Sequence, residues 1–108
     1  MPKGVTKEAS QKLRKQGGRY LKKLRNSVGL TQRDLAEASG FKYYTFISQI
    51  ENGAGRIPPN LYEAYAKAVD ADLAEFVKDM LKFYDPYTYK GLFGPASKKK
   101  KAAKKAQA

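Results

Sequence analysis

The sequence predicts an all-α fold, a compact domain of five short helices, and three observations carry that prediction. Apolar residues recur at helical spacing over 73–84, where Leu73, Phe76, Val77, Met80, Leu81 and Tyr84 stand at i, i+3, i+4, i+7, i+8 and i+11. Helix start and stop residues punctuate the stretch 30–53, LTQRDLAEASGFKYYTFISQIENG. The chain has 108 residues, which allows one such domain plus tails.

In chain order, residues 1–5 are expected to be a disordered start. Residues 6–16 hold helix formers but only a thin apolar face, chiefly Ala9 and Leu13. They fit either a solvated charged arm or an arm that lies along a phosphate backbone, where contacts position a protein without reading sequence. Gly17-Gly18 is expected to break the pattern, so that the basic arm covers 1–17 and the domain 18–84. The first core helix then runs from Arg19 to Val28, with Leu21, Leu24 and Val28 facing inward beside Tyr20.

Thr31 suits an N-cap, because its hydroxyl can accept from a free amide in the first turn. Asp34 lies in that first turn, where the helix dipole favours an acid. Gly40 can take the left-handed conformation that ends a helix. A further helix is expected from about Tyr44 to Glu51, with Ile47 and Ile50 on one face. Small residues where the two helices meet, a glycine in the turn and a polar outer face describe a helix-turn-helix unit over about 31–52. The stretch AGRIPPN reads as a loop, Asn60 as a cap for a fourth helix over Leu61 to Val69, and Asp72 as the N-cap of the fifth, Leu73 to about Tyr84.

The stretch LTQRDLAEASG followed by ISQIENG resembles the Xre/Cro family of helix-turn-helix DNA-binding domains, the phage-repressor type. The likeness covers roughly Gly18 to Glu75 and implies a lambda-repressor-like domain. The chain departs from the family between Gly40 and Ile47, where six residues stand in place of the usual five. The turn is therefore one residue longer, which leaves open whether Lys42, Tyr43 or Tyr44 starts the recognition helix. The resemblance implies an ion pair between Arg25 and Glu51 that ties the first helix to the recognition helix; a solvated Arg25 is the alternative. It also implies phosphate contacts from Gln32, at the start of the second helix, and from Asn52 and the amide of Gly53, at the end of the recognition helix. Arg33, Lys42 and Arg56 are nearby cations.

The positions matching the family's groove-facing residues are Tyr43, Tyr44, Thr45, Ser48 and Gln49. Gln49 suits base reading by chemistry, since its amide can donate to and accept from adenine. Thr45 can bond a base edge or offer its methyl to a thymine methyl, and Ser48 can bond either kind of edge. Tyr44 can use its hydroxyl or its ring. Tyr43, at the expected cap, is assigned to the DNA backbone. Both tyrosines could instead pack within the longer turn.

The charge distribution supports a polyanion partner. Lys and Arg number 22 against 10 Asp and Glu, for a net +12 and a pI near 9.9. Residues 1–29 hold nine basic and one acidic residue, net +8, and 96–108 hold six lysines and no acid, net +6. Residues 30–60 are neutral, and 61–95 carry a net −2. A recognition helix of Tyr, Thr, Ser and Gln, with bulk charge left to the ends, fits a sequence-specific binder with electrostatic help.

Residues 83–95 form an aromatic extension. Phe83, Tyr84, Tyr87, Tyr89, Leu92 and Phe93 either fold back onto the core or form a dimer interface. Pro86 prevents simple continuation of the fifth helix. The tail 96–108 is lysine-rich, is expected to be disordered, and fits either a solubilising role or nonspecific attraction to DNA.

The chain has no His and no Cys, which removes the commonest general base, metal ligands and thiol chemistry. No phosphate loop or paired carboxylates are present, so no enzyme is expected, and no cofactor, metal or small-molecule ligand. No apolar run approaches the ~18 residues of a spanning helix, and the start lacks a signal peptide's apolar core. No membrane association is therefore expected, and a cytoplasmic, nucleoid-associated location is. The function expected is a double-stranded-DNA-binding transcriptional regulator, a homodimeric repressor on an inverted repeat. The alternative is an antitoxin-like or coactivator-type module in which DNA binding is secondary to protein binding.

Overall fold

The computed structural model describes residues 7–94. The expectations for 1–5 and for the lysine-rich tail 96–108 lie outside the described residues. Among the described residues six α-helices form: α1 Lys7–Ser27, α2 Gln32–Ser39, α3 Thr45–Glu51, α4 Tyr62–Ala68, α5 Leu73–Tyr84 and α6 Pro86–Phe93, with a 3-10 turn at Pro59–Leu61 before α4. The all-α expectation holds, with one helix more than the five expected. Leu21, Leu35, Ile47, Ile57, Tyr65, Phe76 and Met80 are fully buried at the centre.

Gly17-Gly18 does not break the first helix; α1 runs through it. The glycines mark close approach. A Cβ on Gly17 would sit 2.9 Å from the Phe83 Cβ, and one on Gly18 would sit 2.2 Å from the Glu51 carbonyl oxygen. The missing side chains let α5 and the end of α3 press directly on α1. Val28, expected to face inward, is exposed, because α1 ends at Ser27 and the chain turns away at Gly29 (φ +75°).

Thr31 caps α2 in a reciprocal box: its hydroxyl accepts from the Asp34 amide, and the Asp34 carboxylate accepts from the Thr31 amide. Hydrogen bonding from Thr31, its backbone amide first, holds the Asp34 carboxyl below its ordinary range. Gly40 closes α2 at φ +85°. Asn60 is not a cap, because Pro59 starts a 3-10 turn and α4 begins only at Tyr62. Asp72 caps α5 as expected, accepting from the Glu75 amide. The α5 stripe buries Phe76, Met80 and Tyr84, while Leu73, in the first turn, lies beyond the core's edge and is exposed.

The aromatic extension divides in two. Phe83 packs over Gly17 and beside the Tyr20 ring, with centroids 5.7 Å apart. Tyr84 is buried, and its hydroxyl accepts from the Ile57 amide at 3.3 Å. Both belong to the monomer's own core and are removed from the candidate interface. As expected, the fifth helix does not continue through Pro86: α5 ends at Tyr84, and Pro86 is the first residue of α6, where its fixed φ and missing amide suit a helix start. On α6, Tyr89 is half-buried against Phe93, while Tyr87, Leu92 and Phe93 are exposed.

Candidate nucleic-acid interface

The interface is built on α2, α3 and their joint. At 100° per residue, Ile47, Ile50 and Glu51 share the inward side of α3, and all three are buried. Thr45 and Gln49, four apart, share the opposite side and are exposed, while Ser48 is half-buried at its edge. Tyr44 stands at the N-cap and makes no side-chain cap bond, so the helix proper starts at Thr45. The expected cap position, Tyr43, lies one residue before it. Tyr43 and Tyr44 are 55% and 41% exposed, so neither ring is packed away in the turn. The Arg33 guanidinium lies 4.5 Å over the Tyr44 ring, and the Lys42 ammonium lies 5.5 Å from the Tyr43 centroid.

Arg25 fixes this surface from behind. Its Nε donates to Glu51 Oε2 at 2.7 Å and its Nη2 to Oε1 at 3.0 Å, and Nη1 donates to the Leu30 carbonyl at 2.8 Å. The hydrogen bond to Glu51 raises the Arg25 pKa. Gln32 donates to Glu51 Oε1 at 3.1 Å, so one carboxylate joins α1, the start of α2 and the end of α3. That bond occupies one of the Gln32 amide's two donors and leaves its oxygen and second hydrogen for another partner.

At the far end of α3, Asn52 Oδ1 accepts from the Ala54 amide at 3.0 Å. Gly53 follows at φ +87°, and a Cβ there would sit 2.8 Å from the Lys15 side chain. Arg56 does not lie free beside the recognition helix. Its Nη2 pairs with Asp85 Oδ2 at 3.1 Å, and its guanidinium lies 4.6 Å over the Tyr84 ring. The carboxylate and the ring draw it to the α5–α6 joint.

Sequence reasoning missed Phe46. Its ring is 43% exposed and stands 6.3 Å from Phe41 and 6.1 Å from Tyr43, beside Gln49. An apolar cleft of about 420 Å³ opens there, between α3, Pro58 and Leu61. Spacing carries no signal for it: Phe46 stands four residues before buried Ile50, at the edge of the same helix face, and only the surrounding packing leaves it exposed.

Two helices meeting at a Gly40 turn, the second with a polar outer face and anchored through Glu51 at its end, define a helix-turn-helix protein. Residues 17–77, more than half of the chain, match the helix-turn-helix domain family, and the chain belongs to that family. The membership is consistent with the Xre/Cro-type resemblance and supports a DNA-binding role. No curated protein matches the chain. No described helix is long and apolar enough to cross a membrane.

Proposed function

We propose that the chain is a sequence-specific regulator of transcription without enzymatic activity, a homodimeric repressor acting on an inverted-repeat operator. The observation that supports this most is the outer face of α3: Thr45, Ser48 and Gln49 carry hydrogen-bonding groups but no charge, and Tyr44 flanks them. A nonspecific binder gains most from cations at that position. Direct readout needs donors and acceptors, which these side chains supply. Gln32, Arg33, Lys42, Tyr43, Asn52 and Gly53 surround that face and hold the phosphates that set register.

The dimer contact in this proposal is the outer side of α6. Leu92 and Phe93 are 65% and 47% exposed, with Tyr87 on the same short helix. Paired half-sites then lie about 34 Å apart, one turn of B-DNA. Selection from a random duplex pool, with sedimentation in parallel, tests both parts. The wild-type chain is expected to enrich an inverted repeat. A chain with Leu92→Ser and Phe93→Ser is expected to sediment as a monomer and enrich a single half-site. No enrichment by the wild-type chain refutes specific reading, and a variant that remains dimeric refutes the α6 interface.

The same exposed patch favours a second reading, in which α6 grips another protein and DNA binding is secondary. A monomeric wild-type chain that enriches no site but copurifies with a partner through α6 supports that reading instead.

A further inference from the structure

The first helix begins ten residues before the matched family region, and those residues do not hang free. The Lys15 stem and backbone lie against Gly53: a Cβ on that glycine would meet Lys15 Cγ at 2.8 Å and Lys15 Cα at 3.0 Å. The extension is thereby docked onto the turn that ends α3. Lys12, Lys15 and Arg19 stand at i, i+3 and i+7 along it, all exposed. They border one shallow depression with Gln11 and Glu8. Among the described residues the ion pairs are Arg25–Glu51 and Arg56–Asp85, so none of these three cations is neutralised by a salt bridge. Of the seven exposed acids among the described residues, Glu63, Asp70, Asp72 and Glu75 lie on α4, α5 and their joint, Asp34 and Glu37 lie on α2, and only Glu8 borders the depression.

We propose that Lys12, Lys15 and Arg19 form a phosphate-binding track, continuous with the Asn52–Gly53 turn, that holds the DNA strand flanking the half-site. The ligand is the sugar-phosphate backbone. At 1.5 Å rise per residue, Lys12 to Arg19 covers about 10 Å of helix. Phosphates of one strand recur every ~3.4 Å along the duplex axis, so the track reaches two or three of them. Glu8 at the far end repels phosphate and limits the track. This deepens the DNA-binding reading above and rests on it.

The test uses the enriched duplex in two forms, one with a further helical turn (~10 bp) of flanking DNA and one ending at the half-site edge. Binding of the full chain is measured from low to moderate salt. The wild-type chain is expected to prefer the longer duplex. The triple variant Lys12→Gln, Lys15→Gln, Arg19→Gln is expected to lose that preference and to lower the log–log salt slope by about 2–3, at roughly 0.9 per phosphate. Its base preference and melting temperature should stay as in the wild type, because glutamine keeps most of each stem. A Lys67→Gln variant on α4 is expected to leave the slope unchanged. An unchanged slope in the triple variant, with the half-site still bound specifically, overturns the track alone. A wild-type chain with no preferred site overturns the DNA reading as well.

Discussion

Replacing Glu51 by alanine is expected to lower stability by about 3–5 kcal/mol, because it strands a buried guanidinium. The side chains of Arg25 and Glu51 are only 10% and 3% exposed. The carboxylate accepts three hydrogen bonds, two from Arg25 and one from Gln32. Domains of this size hold about 5–15 kcal/mol in total, so the loss is a large share. Thermal melting checks it, with a fall of roughly 4–8 °C expected for each kcal/mol. Arg25→Met combined with Glu51→Leu should recover part of the loss, since no unpaired charge remains. A Glu51→Ala chain that melts with the wild type, or a double variant whose losses simply add, contradicts this account of the pair. Lost DNA binding in the single variant would report unfolding, not a missing DNA contact.

Gly18→Ala is expected to destabilise by about 2 kcal/mol or more, with a melting fall of roughly 10 °C. Helix propensity alone predicts the opposite sign, since alanine within a helix is favoured over glycine by about 0.5–1 kcal/mol. Position decides. The added methyl would meet the Glu51 carbonyl oxygen at 2.2 Å and the Ile50 carbonyl oxygen at 2.8 Å, both backbone atoms that cannot rotate away. Relief requires α1 to lift from α3, which also lengthens the Arg25–Glu51 bonds. A variant that melts higher than the wild type would show that α1 and α3 are not in this contact.

Gly18 also shows where a sequence stops being legible. A glycine pair between helical stretches looks like punctuation, because its conformational freedom is a local property. Here the pair serves a tertiary contact: Glu51 lies 33 positions and Phe83 66 positions away from their glycines, and nothing local announces them. Residues governed by local physics were legible. Thr31, Gly40 and Asp72 cap helices through bonds within three or four residues, and the α5 stripe follows from helical spacing. The aromatic extension left two alternatives open for the same reason as the glycines. Phe83 and Tyr84 are absorbed by α1 and by the Ile57 loop, whereas Leu92 and Phe93 are not.

At the interface, the polar outer face of α3 was legible from the alternation of Ile47 and Ile50 with Thr45, Ser48 and Gln49. The fate of individual cations was not. Arg33, over the Tyr44 ring, stays beside the recognition helix, but Arg56 is drawn to Asp85 at the α5–α6 joint. Both are arginines in polar stretches of sequence, and only the packing of distant elements separates them. Phe46, four residues before buried Ile50, is exposed for the same reason: the packing around it, not helical spacing, decides.

Base reading by the outer face of α3 rests above all on Gln49. It is exposed, opposite the buried side of the helix, and makes no contact that stabilises the ion-pair network behind it. The measurement is the affinity of a Gln49→Ala chain for the enriched operator and for random duplex at the same salt. The expected result is a loss of about 1–3 kcal/mol on the operator, relaxed preference at one base pair of each half-site, and little change on random DNA. Equal affinities of variant and wild type on the operator, or equal losses on both duplexes, would contradict it.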